Sequence, residues 1–320
     1  MSRLNLPETG LLTTRRLIVQ LVGFAIGIAL LAWIVKGAID QGDWSKIREA
    51  DPGLLAILLG CTVVSLLING TMFWIGIRPV KRLPFWDLQF LNVVANMLNY
   101  APIRVGAIAR VAYHLRVDRL RLLQIGAWFA FLGYLVILGI AAFLVATWAR
   151  VRLDWIWLLL VVAMLGAGGL LCRMVAGARM LARYGQGLGE MMRDPAAVWT
   201  GLVLRIADLA AFAGRMAAAL VILEIRLPAA HVVALAVVAT GASMTPLGRV
   251  GIREWCVAEA AALLSMSEAA VSGSLAQLAL LESAGEALVY IPLGAVGLLW
   301  YRGKWIGAGG APANPGSPSS

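Results

Sequence analysis

Charge is scarce in this sequence. Only 14% of its 320 residues are Asp, Glu, Lys or Arg, against about 25% in a soluble domain. Histidine is nearly missing, with His114 and His231 far apart, and no H-E-x-x-H, G-x-S-x-G or G-x-x-x-x-G-K-[ST] occurs. Zinc-protease, serine-hydrolase and ATP-hydrolysing chemistry are therefore not expected. The three cysteines, Cys61, Cys172 and Cys256, are scattered through apolar stretches, which is neither a disulfide framework nor a zinc site. Acidic residues are rarer than basic ones, 17 against 27, for a net charge of +10. Such an excess can serve nucleic acid, but here the basic residues form short clusters between apolar runs, the pattern of a membrane protein. No nucleic-acid partner, metal or cofactor is expected. Of the basic residues 23 are Arg, a bias that suits bidentate contact with phosphate or carboxylate and that GC-rich codon usage also produces.

What the chain has instead is apolar length. Hydrophobic residues make up 61% of it and the mean hydropathy is +0.85. A membrane-spanning helix needs about 20 mostly apolar residues. Six stretches qualify: Leu17–Ala38, Pro52–Ile77, Leu122–Trp148, Leu153–Cys172, Trp199–Leu223 and Ser283–Trp300. The first follows Arg15 and Arg16, but its run is too long for a signal peptide and no small-residue cleavage site follows, so it reads as a retained anchor. Residues 1–14 read as a polar N-terminal segment, 15–306 as the membrane domain, and 307–320 as a disordered Gly/Pro/Ser/Ala tail.

Two further apolar segments, Phe85–Pro102 and Ala229–Pro246, break at a proline and run straight into Arg and Gly. Past the first break comes Arg104-Val-Gly106, with Arg110 beyond; past the second comes Arg249-Val-Gly251, then Arg253 and Glu254. The two Arg-Val-Gly triplets lie 145 residues apart (249 − 104), a weak internal repeat. If Phe85–Pro102 crossed the membrane fully, Arg110, Arg116, Arg119 and Arg121 would land outside, against the positive-inside rule. If it dips in and returns, 16 basic residues lie inside, six outside and five at membrane depth. The expected fold is thus an all-α polytopic membrane protein of six spans and two re-entrant helical hairpins. These form two inverted halves, about 15–150 and 151–306, with both termini cytoplasmic and the chain in the cell's cytoplasmic membrane. Ser265–Leu281 is assigned to the returning arm of the second hairpin plus a connector, with a short extra span as the alternative.

Interrupted segments at matching places in two inverted halves are the best sequence pointer to a transporter's binding site. An Arg at the bilayer centre costs at least about 2.5–3.5 kcal/mol, so it faces a cavity or a partner. Arg104, Arg249, Arg253 and Arg110 are accordingly candidate substrate contacts, with Glu254 beside them; pairing of Arg253 with Glu254 is the structural alternative. Asn92, Asn96 and Asn99 at i, i+4, i+7 stack three amides on one helix face, and Thr240, Ser243 and Thr245 hold the matching place. Asn96, Asn99 and Ser243 join the candidates, although such stripes also serve as interhelical glue. Pro102, Gly106, Pro246 and Gly251 shape the breaks. Arg205, Asp208 and Arg215 on one span, and Glu282 and Glu286 at i, i+4, read as intramembrane charge pairs, with proton relay as the alternative.

At the two breaks the chain resembles the lysylphosphatidylglycerol synthase transmembrane-region family, flippase-like integral membrane proteins that include stand-alone chains. The first signature is similar in Pro102, Arg104, Gly106 and Arg110, with Asn96 or Asn99 upstream. The second is similar in Ser243, Pro246, Gly251, Arg253 and Glu254. The resemblance spans roughly residues 15–302. It departs at Ala107, where the family carries an acid, and at Leu281–Glu286, which lacks a basic residue often found there. What the resemblance implies is translocation of a lipid, phospho- or polyprenyl-linked, with an anionic headgroup. No aminoacyl-transferase domain follows, so lipid lysylation is not expected. The alternative is a non-transporting scaffold or lipid-presenting subunit of an envelope-biosynthesis complex; homo-oligomers fit either reading, and catalysis is not expected. The topology predicts that cysteines placed at positions 112 and 232 are labelled from opposite faces, 112 from the cytoplasm and 232 from outside. Labelling of both from one face contradicts the inverted arrangement.

Overall fold

The computed structural model describes residues 14–41, 43–100, 105–178, 185–244, 251–265 and 272–309, and every element among them is helical. In chain order these are α1 (Thr14–Gln41), α2 (Trp44–Arg48), α3 (Pro52–Ile77), α4 (Phe85–Leu98), α5 (Val105–Arg116) and α6 (Leu122–Ala149). Then come α7 (Trp155–Val175), α8 (Leu188–Arg193), α9 (Ala196–Ile222, its first turn π-helical), α10 (Ala229–Ala242), α11 (Ile252–Ser265) and α12 (Ser272–Gly309). Among the described residues five helices are long and apolar enough to cross a membrane: α3, α6, α7, α9 and the Ala276–Tyr301 part of α12. At 1.5 Å per residue each reaches beyond about 30 Å, the thickness of a hydrocarbon core. Their surfaces agree. Leu158, Val162, Leu170 and Leu171 of α7 and Ile137, Leu144 and Val145 of α6 are exposed, while Arg205, Arg215, Arg253, Glu282 and Glu286 are buried. A water-soluble protein arranges these residue types the other way round. The chain is a helical, multi-pass membrane protein.

Local chemistry sets the helix starts. Asp51 caps α3 by accepting from Gly53 N at 2.9 Å, and Pro52 occupies the first helical position, where its missing N–H costs nothing. Asp154 caps α7 by accepting from Trp157 N at 3.0 Å. The Arg150 guanidinium, 2.5 Å away, and that same N–H lower the Asp154 carboxyl to about 2. Both α4 and α10 have 14 residues and a proline as N-cap, Pro84 and Pro228. At about 21 Å neither is long enough to cross a bilayer core alone.

Packing is matched between the two halves of the chain. α3 and α9 lie side by side and antiparallel: Arg215 meets Thr62, while Asp208, two turns earlier, meets Ser65. α4 packs on α3 and α12; α10 packs on α9 and α6. α1 packs on α12, and α7 on α6. The main apolar core gathers around Trp128, Phe131 and Leu135 of α6, with Phe73 of α3 edge-on to Trp128 at 5.5 Å.

α5 doubles back on α4. Arg110 Nη2 donates to Asn92 Oδ1 at 2.7 Å, and Gly106 lies against the carbonyl of Ala95, so the two helices run antiparallel. The guanidinium of Arg110 also stands 3.9 Å above the ring of Phe73.

Two sequence expectations need correction. Ser272–Leu281 is neither a returning arm nor a connector; it forms the first turns of α12, continuous with the last span, and α11 ends at Ser265. The helix also extends to Gly309, past the boundary at 307 set for a disordered tail. The first expected span lies within α1, and residues 1–13 and 310–320 lie outside the described residues.

A Cβ at Gly106 would stand 1.8 Å from Ala95 O and 2.6 Å from Asn99 Oδ1. Gly106→Val therefore forces α5 off α4, and we expect a loss of about 1–3 kcal/mol or more, read as a lowered Tm in detergent. An unchanged Tm contradicts the close approach.

Candidate functional site

A cavity of about 180 Å³ opens where the C-terminal ends of the two short helices come together. Asn96 and Asn99 line it from the end of α4, and Thr240, Ser243 and Met244 from the end of α10. Arg205, Asp208 and Phe212 of α9 form another wall; Asn69, Val136 and Tyr290 complete it from α3, α6 and α12. Apart from one charge pair its polar groups are neutral amides and hydroxyls.

That charge pair sits one helical turn apart on α9. Arg205 Nη1 meets Asp208 Oδ2 at 2.5 Å, and both residues are 3% exposed or less. The second carboxylate oxygen of Asp208 accepts from Ser65 Oγ at 2.5 Å and Asn69 Nδ2 at 3.4 Å. Asp208 is thereby fully satisfied. Arg205 is not: its Nε and Nη2 are buried without a hydrogen-bond partner. Its stem lies across Gly139 of α6, where a Cβ would come within 2.7 Å of Arg205 Cγ. The oxygen Oδ1 of Asn99 is also buried and unpartnered. Thr240 Oγ1 and Ser243 Oγ donate back to the carbonyls of Ala236 and Ala239 in their own helix, 2.9 and 2.7 Å away.

A second charge cluster, behind the Phe212 wall of the cavity, locks α9, α11 and α12 together. Arg253 of α11 hydrogen-bonds both Glu282 and Glu286 of α12. Arg215 of α9 pairs with Glu282 and stands 3.8 Å from Glu286. The Phe212 ring lies beneath both guanidinium groups, at 4.1 and 5.7 Å. Glu254 points elsewhere. It accepts from Gly251 N at 2.6 Å and from Ser283 Oγ, which is the reach-back of a capping box closing the first turn of α11. Gly251 has φ of +89°, a conformation that glycine adopts without strain.

The sequence-predicted residues thus divide. Asn96, Asn99 and Ser243 reach one cavity, as the two polar stripes suggest. Arg110 bonds Asn92, which in turn donates to Leu66 O at 3.1 Å, so Arg110 ties the first hairpin to itself and does not line the cavity. Arg253 and Glu254 are held in the second cluster and the helix cap. Arg205 pairs with Asp208, and Arg215 with Glu282 and, at 3.8 Å, Glu286. Pro102, Arg104, Pro246 and Arg249 lie outside the described residues. The sequence reading missed Asn69, Phe212 and Tyr290. Asn69 carried a signal: with Ser65 it puts two polar groups at i, i+4 in an otherwise apolar span, on the face that meets Asp208.

Compared with known proteins, the chain matches no family model, no curated protein and no solved structure.

Removing one side of a buried ion pair costs about 3–5 kcal/mol, because an uncompensated charge stays behind. Glu282→Gln with Glu286→Gln leaves Arg215 and Arg253 unpaired, and we expect a loss of at least that size in detergent unfolding. Adding Arg215→Met and Arg253→Met should recover most of it. Equal stability of wild type and the double variant contradicts the cluster as drawn.

Proposed function

We propose that the chain is a flippase-like transporter that carries a lipid with an anionic headgroup across the cytoplasmic membrane. One observation supports it above the others: two short helices, at matching places in the two halves of the chain, end at one polar cavity inside an apolar bundle. A buried cavity with a charge pair, amides and hydroxyls is expensive in a membrane protein and marks a substrate path. The resemblance at the breaks, in Gly106, Arg110, Ser243, Gly251 and Glu254, points the same way.

In this reading α4–α5 and α10–α11 are the re-entrant hairpins, entering from opposite faces, and α1 adds a sixth span. The antiparallel contact of α3 with α9 suits two inverted halves related by an axis in the membrane plane. The headgroup occupies the cavity while the tails stay in lipid. An apolar groove of about 510 Å³ along the start of α6, lined by Leu122, Leu123 and Phe129 and flanked by Val111 of α5 and by Gly185 and Leu188, gives them room on one side. α5 touches α6 only lightly, whereas α11 is fixed to α12 by the buried ion pairs. In this reading α5 is the part of the first hairpin that shifts to expose the cavity, while α4 stays packed on α3 and α12.

Val136→Phe and Ser243→Phe fill the cavity without placing a charge in it. Purified protein in vesicles with fluorescent phospholipids should accelerate their transbilayer movement, and either variant should slow it at least about tenfold. No acceleration by folded wild-type protein across a broad lipid panel contradicts transport, and leaves the non-transporting, lipid-presenting subunit as the reading to pursue.

A further inference from the structure

We infer that Arg205 is the oxyanion receptor of the cavity, and that the headgroup it takes is a singly charged phosphodiester; this rests on the transport reading and names its substrate class. Three observations carry it. A guanidinium offers two parallel N–H donors along the edge formed by Nε and one terminal nitrogen, the fork that fits a phosphate bidentately. In Arg205 the other terminal nitrogen, Nη1, is taken by Asp208 at 2.5 Å, while Nε and Nη2 are buried with no partner. The unused donors are thus the whole fork.

The fork is also fixed in place. Arg205 is 3% exposed, lines the cavity, and lays its stem in the notch left by Gly139, where a Cβ would fall 2.7 Å from Cγ and 3.3 Å from Nε. A buried charged donor without an acceptor is costly to leave unmade, so the arrangement favours a ligand that supplies one.

Charge decides which oxyanion. Asp208 already balances Arg205, and among the described residues no other Asp, Glu, Lys, Arg or His lines the cavity. One negative charge is accommodated on the fork. A second would face the Asp208 carboxylate at close range in a low-dielectric site, where like charges repel strongly. This selects a phosphodiester monoanion over a phosphomonoester or diphosphate. Asn69, Asn96 and Asn99 then offer amide groups to the hydroxyl or amine substituents of the headgroup.

Binding to the full chain in detergent tests this without requiring transport. The probes are short-chain dihexanoyl phosphatidylglycerol, the matching phosphatidic acid and inorganic phosphate, followed by calorimetric titration. Phosphatidylglycerol should bind best, and Arg205→Lys, which keeps the charge opposite Asp208 but loses the fork, should weaken it at least about tenfold. Gly139→Ala, which pushes the stem aside with no change of charge, should weaken it too and serves if Arg205→Lys fails to fold. Equal affinity in the variants overturns the receptor. Tighter binding of phosphatidic acid overturns the single-charge assignment. Inorganic phosphate binding as well as phosphatidylglycerol overturns the lipid source. Tight, Arg205-dependent binding with no lipid movement in vesicles leaves this inference standing while the transport reading falls.

Discussion

A charge inside a membrane must find a partner or a purpose, and this constraint organises the molecule. Arg215, Arg253, Glu282 and Glu286 are all 1% exposed or less, and each is neutralised by another. Their pairing joins three helices, α9, α11 and α12, which also share an apolar cluster around Met216, Val257, Ala261 and Leu278. Asp208 obeys the same rule through Arg205, Ser65 and Asn69, which fixes α9 against α3. Arg205 balances Asp208 through Nη1, and it lines the cavity while its Nε and Nη2 stay without a hydrogen-bond partner.

The backbone is under a comparable constraint. Short helices cannot end in hydrocarbon, because the last turn of carbonyls would lack partners. α4 and α10 end instead at a polar cavity built from both halves of the chain. Small residues make this possible: Gly106 admits the carbonyl of Ala95, and Gly294 and Gly297 of α12 admit Met97 and Val94 of α4. The two hairpins are nevertheless fastened differently. α11 is stapled by ions, whereas α5 is held by the Arg110–Asn92 hydrogen bond, by Arg110 over the Phe73 ring of α3 and by the packing of Tyr113 against Leu91, Val94 and Tyr301.

Much of the architecture is legible in the sequence, because a span is read from length and hydropathy alone. Pro52–Ile77 coincides with α3 at both ends, helped by the Asp51–Pro52 start, and the other long helices apart from α12 shift by a few residues. The beginning of α12 is not legible: Glu282 and Glu286 interrupt the apolar run, and only tertiary pairing with Arg215 and Arg253 makes them compatible with a buried helix. The partner of Arg253 is hidden for the same reason. Its sequence neighbour Glu254 cannot face it on a helix, and its real partners lie 29 and 33 residues away. The polar stripe of Asn96 and Asn99 points to the cavity directly, since i, i+3 spacing keeps both on one face. The unused fork of Arg205 is invisible in sequence, because which nitrogen meets Asp208 is a matter of geometry.

The central claim is that two short hairpins from opposite sides of the membrane meet at a cavity that receives a lipid headgroup. A density map of the protein in nanodiscs containing phosphatidylglycerol tests it most directly. The account predicts that the junctions after α4 and α10 both lie inside the lipid slab, with headgroup density beside Arg205. A map with either junction outside the slab, or with the cavity closed off from lipid on every side, contradicts it.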